Sequence, residues 1–278
     1  MKTLRDARVL VTGAGSGLGR CTALAFARKG ARIVASDLNL DAARRTAHEV
    51  QALGIDAFAI PLDVTSEDSF AQAVEASVRG LGGIDVLINN AGVATAGTVA
   101  DSPLKQWQWV IDINLLGCVR GARAVIPLLQ AQKSGHIVNV ASFAGVANPP
   151  AMASYNAAKA AVISLSETLR FELFPDVGVS VACPSFFKTD LLNSGRGQVR
   201  EDEQSAAPQM MAIVGRLMDK ATVTADDVAA DIVDAVETNR FMVMTHPDAR
   251  SRARLKRMSP ELYFRLAQKM TAPFLKKR

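Results

Sequence analysis

The stretch Ala7-Arg-Val-Leu-Val-Thr-Gly-Ala-Gly-Ser-Gly-Leu-Gly19 sets the architecture that the rest of the chain follows. Residues 7–12 form a short apolar run ending in Thr12, the pattern of a buried strand. A glycine-rich turn comes next, and a helical pattern runs from Cys21 to Lys29. Strand, glycine turn and helix in that order aim main-chain N–H groups and a helix N-terminus at one point, which suits a pyrophosphate. The spacing is G-x-x-x-G-x-G through Gly13, Gly17 and Gly19, with Ser16 and Leu18 beside the glycines. A merely tight turn accounts less well for four glycines between a strand and a helix.

Downstream the alternation continues. Strands are expected at 31–36, 56–62, 84–88, 136–140, 177–183 and 241–244, and helices at 41–53, 67–78, 103–132, 151–174 and 224–238. Thr224-Ala-Asp-Asp227 reads as a capping box for the last of these helices. The pattern predicts an α/β fold: one doubly wound, mostly parallel seven-stranded sheet with helices on both faces, in a single domain over residues 1–247. Ligands of such sheets sit beyond the C-terminal ends of the strands. Asp37, Asp63, Asn89, Ser142 and Pro184 each follow a strand and are expected to share one rim.

Asp37 stands eighteen residues after Gly19, at the end of the second strand. An acid there can accept hydrogen bonds from ribose hydroxyls and would repel a 2′-phosphate. Neither Leu38 nor Ser16 supplies a compensating cation, so NAD is expected rather than NADP. The competing reading makes Asp37 the N-cap of the following helix.

Tyr155-Asn-Ala-Ala-Lys159 places a phenol and an ammonium four residues apart, one turn apart on one helix face. A free phenol titrates near 10, and a nearby cation lowers that value toward the range useful for proton exchange. An amphipathic helix that carries the pair by chance is the competing reading.

Composition is that of a globular enzyme, with 49% hydrophobic and 21% charged residues over 278 positions. Residues 1–10 lack a signal-peptide apolar region, and no apolar run reaches the length of a membrane span. Cys21, Cys118 and Cys183 lack metal-ligand spacing, which favours free thiols, a reducing cytoplasmic compartment and no metal. The net charge is +5, but residues 249–278 hold ten Lys/Arg against one acid, +9, leaving −4 for residues 1–248. Nucleic acid is not an expected partner, because no recognition fold accompanies this charge.

Thr12-Gly-x-x-x-Gly-x-Gly19, Asp63-Val64, Asn89-Asn-Ala-Gly92, Asn114, Ser142, Tyr155-x-x-x-Lys159 and Pro184, in this order, resemble the short-chain dehydrogenase/reductase superfamily over about residues 5–245. The resemblance implies a Rossmann-type NAD(P)-dependent oxidoreductase acting on an alcohol or ketone. It makes Tyr155 the general acid/base, with Lys159 lowering its pKa and bonding the nicotinamide ribose. Ser142 would hold the substrate oxygen, and Asn114 would position a water. Gly13, Ser16, Gly17, Leu18, Gly19, Asp37, Asp63, Val64, Asn90, Ala91, Gly92, Pro184 and Thr189 would join Tyr155 and Lys159 around the cofactor. Ser185 departs from the family, which usually has glycine after this proline.

In the family, residues corresponding to 186–221 form a lid. Phe186, Phe187, Leu192 and Met210 are the expected substrate contacts, and such a lid favours a lipophilic secondary alcohol or ketone. Two other functions compete. An NADPH-dependent 3-oxoacyl-thioester reductase is disfavoured by Asp37 and Leu38. A non-catalytic nucleotide-sensing protein is disfavoured by the intact set Asn114, Ser142, Tyr155 and Lys159. The resemblance also implies a homodimer or homotetramer. The basic extension 248–278 reads as an amphipathic helix that lies on an anionic membrane surface or packs across an oligomer interface. The second is favoured, since amphipathicity usually reports packing.

Overall fold

Seven parallel strands form one sheet in the computed structural model, which describes residues 3–187, 212, 214–216, 218 and 220–275, with side chains as far as 271. In chain order they are β1 (Arg8–Thr12), β2 (Arg32–Asp37), β3 (Ala57–Pro61), β4 (Val86–Asn89), β5 (Gly135–Val140), β6 (Val177–Ala182) and β7 (Met242–Val243). Their spatial order is β3-β2-β1-β4-β5-β6-β7, and every pairing is parallel. The chain builds outward from β1 in one direction and then restarts at β4 in the other. The crevice between β1 and β4 is therefore the switch point where a ligand can enter.

The helices are α1 (Gly17–Arg28), α2 (Leu40–Gln51), α3 (Glu67–Leu81), α4 (Leu104–Ile111), α5 (Gly117–Gln132), α6 (Ala144–Ala147), α7 (Ala153–Glu172), α8 (Ala225–Thr238), α9 (Pro247–Met258) and α10 (Pro260–Leu275). Alternation along the strands sends side chains to two separate cores. Val9, Val11, Ile33 and Ala35 pack with Phe26 of α1 and Ile232 of α8. Leu10 and Val34, one residue out of step, pack with Phe70 of α3, Leu129 of α5 and Leu169 of α7. Several helix starts follow local chemistry. Asn39 caps α2 by accepting from Ala42 N at 3.1 Å, Ser66 caps α3, and Thr224 and Asp227 form the expected capping box.

Two segments depart from expectation. The helix expected over 103–132 is interrupted by a π-helical turn at Asp112–Leu116, which separates α4 from α5 and carries Asn114. Such bulges often occur where one side chain must be re-aimed. The basic extension is two helices rather than one, because Pro260 disfavours helical backbone at Ser259, which sits at φ −146 and ψ 81.

The far end of the sheet holds a buried imidazole. His136 Nε2 lies 2.8 Å from Ser180 Oγ, and that hydroxyl donates to Arg240 O at 2.6 Å. With the serine proton so committed, Nε2 carries the ring proton, and Nδ1 is buried with no partner among the described residues. Burial drives the folded pKa down to about 3, against about 6.5 in an unfolded chain. Between these values the unfolded chain takes up a proton that the folded chain refuses. The stabilisation is complete above pH 6.5 and declines as pH falls, by about 1.4 kcal/mol per unit. Urea unfolding midpoints measured from pH 7 to pH 5 should fall less steeply for His136→Asn than for the parent protein. Parallel pH profiles would remove this assignment.

Candidate active site

The turn between β1 and α1 is closed too tightly for side chains. Gly13 has φ +64, and a Cβ there would lie 2.9 Å from Ala91 Cα. At Gly19 a Cβ would fall on Gly13 O and on Asn90 Nδ2. Asn90 holds this turn against the end of β4, donating from Nδ2 to Thr12 O at 2.9 Å and Gly13 O at 3.1 Å. Thr12 Oγ1 in turn accepts from the N–H groups of Asn90 and Ala91, both at 3.0 Å. Asn90, Ala91 and Gly13 are thus brought together at the switch point. Helix α1 begins after Ser16 with no side-chain cap bond and no acid in its first turn. Its opening N–H groups, around Gly17 and Leu18, suit an anion.

Asp37 faces this turn. Its carboxylate accepts from Gly15 N at 3.0 Å and from Asn39 N at 2.9 Å. The cap of α2 is Asn39, so the alternative reading of Asp37 as that helix's N-cap is corrected. Gly15 was passed over as a site residue, although a Cβ there would lie 2.6 Å from Ala42 Cβ and 2.9 Å from Asp37 Oδ2. The glycine repeat itself carried that signal. Asp63 Oδ1 closes a local turn, accepting from Thr65 N at 2.9 Å and Thr65 Oγ1 at 2.7 Å, while Val64 packs against Gly117.

Tyr155 sits in the first turn of α7 and Lys159 one turn on, both buried. Lys159 Nζ lies 5.9 Å from the Tyr155 ring centroid and donates to Val140 O at the end of β5 at 2.8 Å. Ser142, just beyond β5, accepts from Ala144 N at 3.1 Å, and its hydroxyl is the polar neighbour that acts on the Tyr155 phenol. Burial pushes the Tyr155 phenol up, and the Ser142 hydrogen bond pulls it down. Burial also lowers Lys159. Desolvation is the larger of these two effects on the phenol, and Ser142 provides the opposing pull. Asn114 is fully buried, and its amide clamps Val93 from both sides, accepting from Val93 N and donating to Val93 O, each at 2.8 Å. Its side chain thus holds the loop after Gly92. That loop runs so close that a Cβ on Gly92 would lie 3.0 Å from Asn114 Oδ1 and 3.5 Å from Lys159 Nζ.

An apolar wall surrounds the phenol. Tyr155 clusters with Ala94, Met152, Val214 and Met218, and Phe186 packs against them. Val214 and Met218 were missed in the sequence, where their i, i+4 spacing was the available signal. Phe187, expected as a substrate contact, is buried in the core cluster with Val140, Ala182 and Val228. Thr189, Leu192 and Met210 lie outside the described residues. Pro184 O accepts from Phe143 N at 2.8 Å, tying the loops after β5 and β6 together. Ser185 is not among the residues with positive φ, so its side chain adds no backbone strain where the family has glycine. His246, unnoticed in the sequence, accepts from Ser185 N through Nδ1 at 3.3 Å and bonds Phe186 O through Nε2 at 2.9 Å.

The family model described as short chain dehydrogenase matches residues 7–200. The chain is 32% identical over 259 residues to the CLA biosynthesis dehydrogenase/reductase of Lactiplantibacillus plantarum, covering 89% of this chain and 91% of the relative. It is 38% identical over 193 residues to the 3-oxoacyl-[acyl-carrier-protein] reductase of a Synechocystis species, covering 69% and 78%. The chain spans 44% of the length of the longer oxidoreductase EphD of Mycobacterium tuberculosis. Among solved structures, a short chain dehydrogenase/reductase from Burkholderia phymatum in complex with NAD is similar at TM-score 0.88 and 32% identity, over 94% of this chain and 96% of that one. A matching model over most of the chain, relatives above 30% identity and the same parallel sheet agree: the chain belongs to the short-chain dehydrogenase family and is an oxidoreductase.

Proposed function

We propose that the protein moves a hydride between NAD and a lipophilic secondary alcohol or ketone, with Tyr155 exchanging the accompanying proton. The observation that carries this reading is the buried phenol of Tyr155, backed by Lys159 Nζ at 5.9 Å from the ring centroid, within an apolar wall. Such a constellation has little structural purpose, since burying a lysine and a phenol costs free energy that plain apolar packing would not.

The residues present fit a dinucleotide. Gly13, Gly15 and Gly19 let the turn close on Ala91, Asn90 and Asp37, where Cβ atoms would collide, which is the tight glycine turn that brings main-chain N–H groups to a pyrophosphate. The helix N-terminus at Gly17 and Leu18 would take the pyrophosphate, and Asp37 the adenosine ribose. The nicotinamide, when bound, donates or accepts the hydride. Because burial raises its pKa, Tyr155 rests as the neutral phenol and is a proton donor to a developing alkoxide. Ser142 steadies the same oxygen from the side. Lys159 and the N-terminus of α7 stabilise the phenolate left behind. Ala94, Met152 and Phe186 keep water from the reacting atoms and favour an apolar substrate.

The 3-oxoacyl-thioester reductase reading has a relative of that name in its favour, and Asp37 against it where that chemistry draws on NADPH. A carboxylate facing a phosphate across about 4 Å opposes binding by a few kcal/mol. NAD should therefore exceed NADP in kcat/KM by about tenfold or more, a difference of about 1.4 kcal/mol, and Asp37→Ser should narrow the gap. A preference for NADP in the parent protein would overturn the cofactor assignment. An NAD-linked absorbance screen over secondary alcohols and ketones of graded size tests the substrate class. Turnover confined to small polar polyols would refute the lipophilic reading.

A further inference from the structure

The C-terminal helices do more than follow the sheet. After β7 the chain passes His246, and the His246 ring fastens both Ser185 and Phe186, the residues that lead out of β6 beside Tyr155. Arg250 Nε then donates to Met244 O at 2.6 Å, and Ala249 is wholly buried, which seats the start of α9. In the last turn of α9, Lys256 Nζ donates to Val146 O at 2.6 Å. From α10, the Tyr263 hydroxyl donates to Ala147 O at 2.9 Å. Lys256 also lies 5.8 Å from the ring centroids of both Tyr263 and Phe264. With the Asn148 amide turned to satisfy its neighbours, its Nδ2 donates to Ala144 O at 3.1 Å and its Oδ1 accepts from Lys256 Nζ at 2.8 Å.

These contacts converge on one small element. Helix α6 has four residues, and a helix that short leaves its last carbonyls without internal partners. Lys256 and Tyr263 supply partners to two of them. The same element starts two residues after Ser142 and lies directly on the backbone of α7. A Cβ on Gly145 would sit 2.6 Å from Lys159 C and 2.7 Å from Ala160 N. Phe143 N bonds Pro184 O, so the loops after β5 and β6 touch each other as well as the extension.

We propose that residues 246–263 form a brace that fixes the two loops flanking Tyr155, with Lys256 and Tyr263 as positioning residues that hold α6, and through it Ser142, in register with the phenol. The catalytic consequence rests on the function proposed above, but the brace itself does not. It gives the site a remote control point: Lys256 and Tyr263, bonded to α6, set the placement of Ser142 beside Tyr155.

The test uses the full chain and needs no substrate. Tyrosine occurs only at positions 155 and 263, so Tyr263→Phe leaves Tyr155 as the sole tyrosine. Lys256→Met and Lys256→Arg are compared by hydrogen exchange in the otherwise unaltered chain, where Tyr263 keeps its bond to Ala147 O, and the ¹³C resonance of labelled Tyr155 ring carbon is read for the same pair in the Tyr263→Phe background. Lys256→Met should raise amide exchange over 143–148 about tenfold or more relative to Lys256→Arg, with β1 and α1 unchanged. The Tyr155 resonance should shift or split with Met and remain in place with Arg. Exchange over 143–148 that stays within about twofold across the variants overturns the brace. Faster exchange with an unmoved Tyr155 resonance overturns its link to the site. Neither readout involves turnover, so a failure of the proposed reaction would be recognised separately, by the absorbance screen.

Discussion

Tyr155→Phe is expected to lower kcat by about 10²–10⁴-fold, the usual contribution of a positioned acid/base, while dinucleotide binding is retained. The ring is held by Ala94, Met152, Val214 and Met218, all apolar contacts that phenylalanine keeps. The hydroxyl lies toward Ser142 instead, and removing it deletes the proposed proton donor while sparing the packing. Ser142 lies at partial exposure and still holds Ala144 N, so it is not left as a buried orphan. Calorimetric titration with NAD and steady-state rates separate the two effects. Unchanged turnover would eliminate the mechanism, and joint loss of binding and folding would point to packing.

The second large effect is expected at Gly19→Ala. The added methyl would fall on Gly13 O and Asn90 Nδ2, and neither can yield, because Asn90 is already committed to Thr12 O and Gly13 O. Overpacking of this kind costs about 1–3 kcal/mol, and relief by moving α1 away from the turn would open the anion cradle. Dinucleotide affinity should fall about tenfold or more, with Tm lower by about 2–4 °C per kcal/mol lost. Gly215→Ala is the control, since among the described residues nothing lies within 4 Å of a Cβ there. Equal behaviour of the two variants would show that the turn tolerates the methyl.

Much of this was legible in the sequence because the signals are local. The β1 apolar run, the glycine turn and the capping box each follow from a few neighbouring residues. Tyr155 and Lys159 share a face by helical spacing alone. What was not legible depends on contacts between distant segments. That Asn114 clamps Val93 follows from a π-turn whose need arises only when α5 meets the loop after β4. That Phe186 faces the phenol while Phe187 faces the core is set by how the chain leaves β6, where adjacent side chains diverge. Nothing local in the sequence marks His246; its role appears only where β7 carries it beside Ser185. The phenol's upward shift depends on burial, which no spacing reports.

The claim on which the account turns is that the Tyr155 hydroxyl and Ser142 face a bound nicotinamide across a gap wide enough for one substrate carbonyl. A crystal structure with NAD and a bound ketone tests it most directly. The account predicts the ketone oxygen within about 3 Å of both hydroxyls, and its carbon at about 3–3.5 Å from the hydride-bearing ring carbon. A ketone seated elsewhere, with the Tyr155 hydroxyl turned into packed protein, would contradict it.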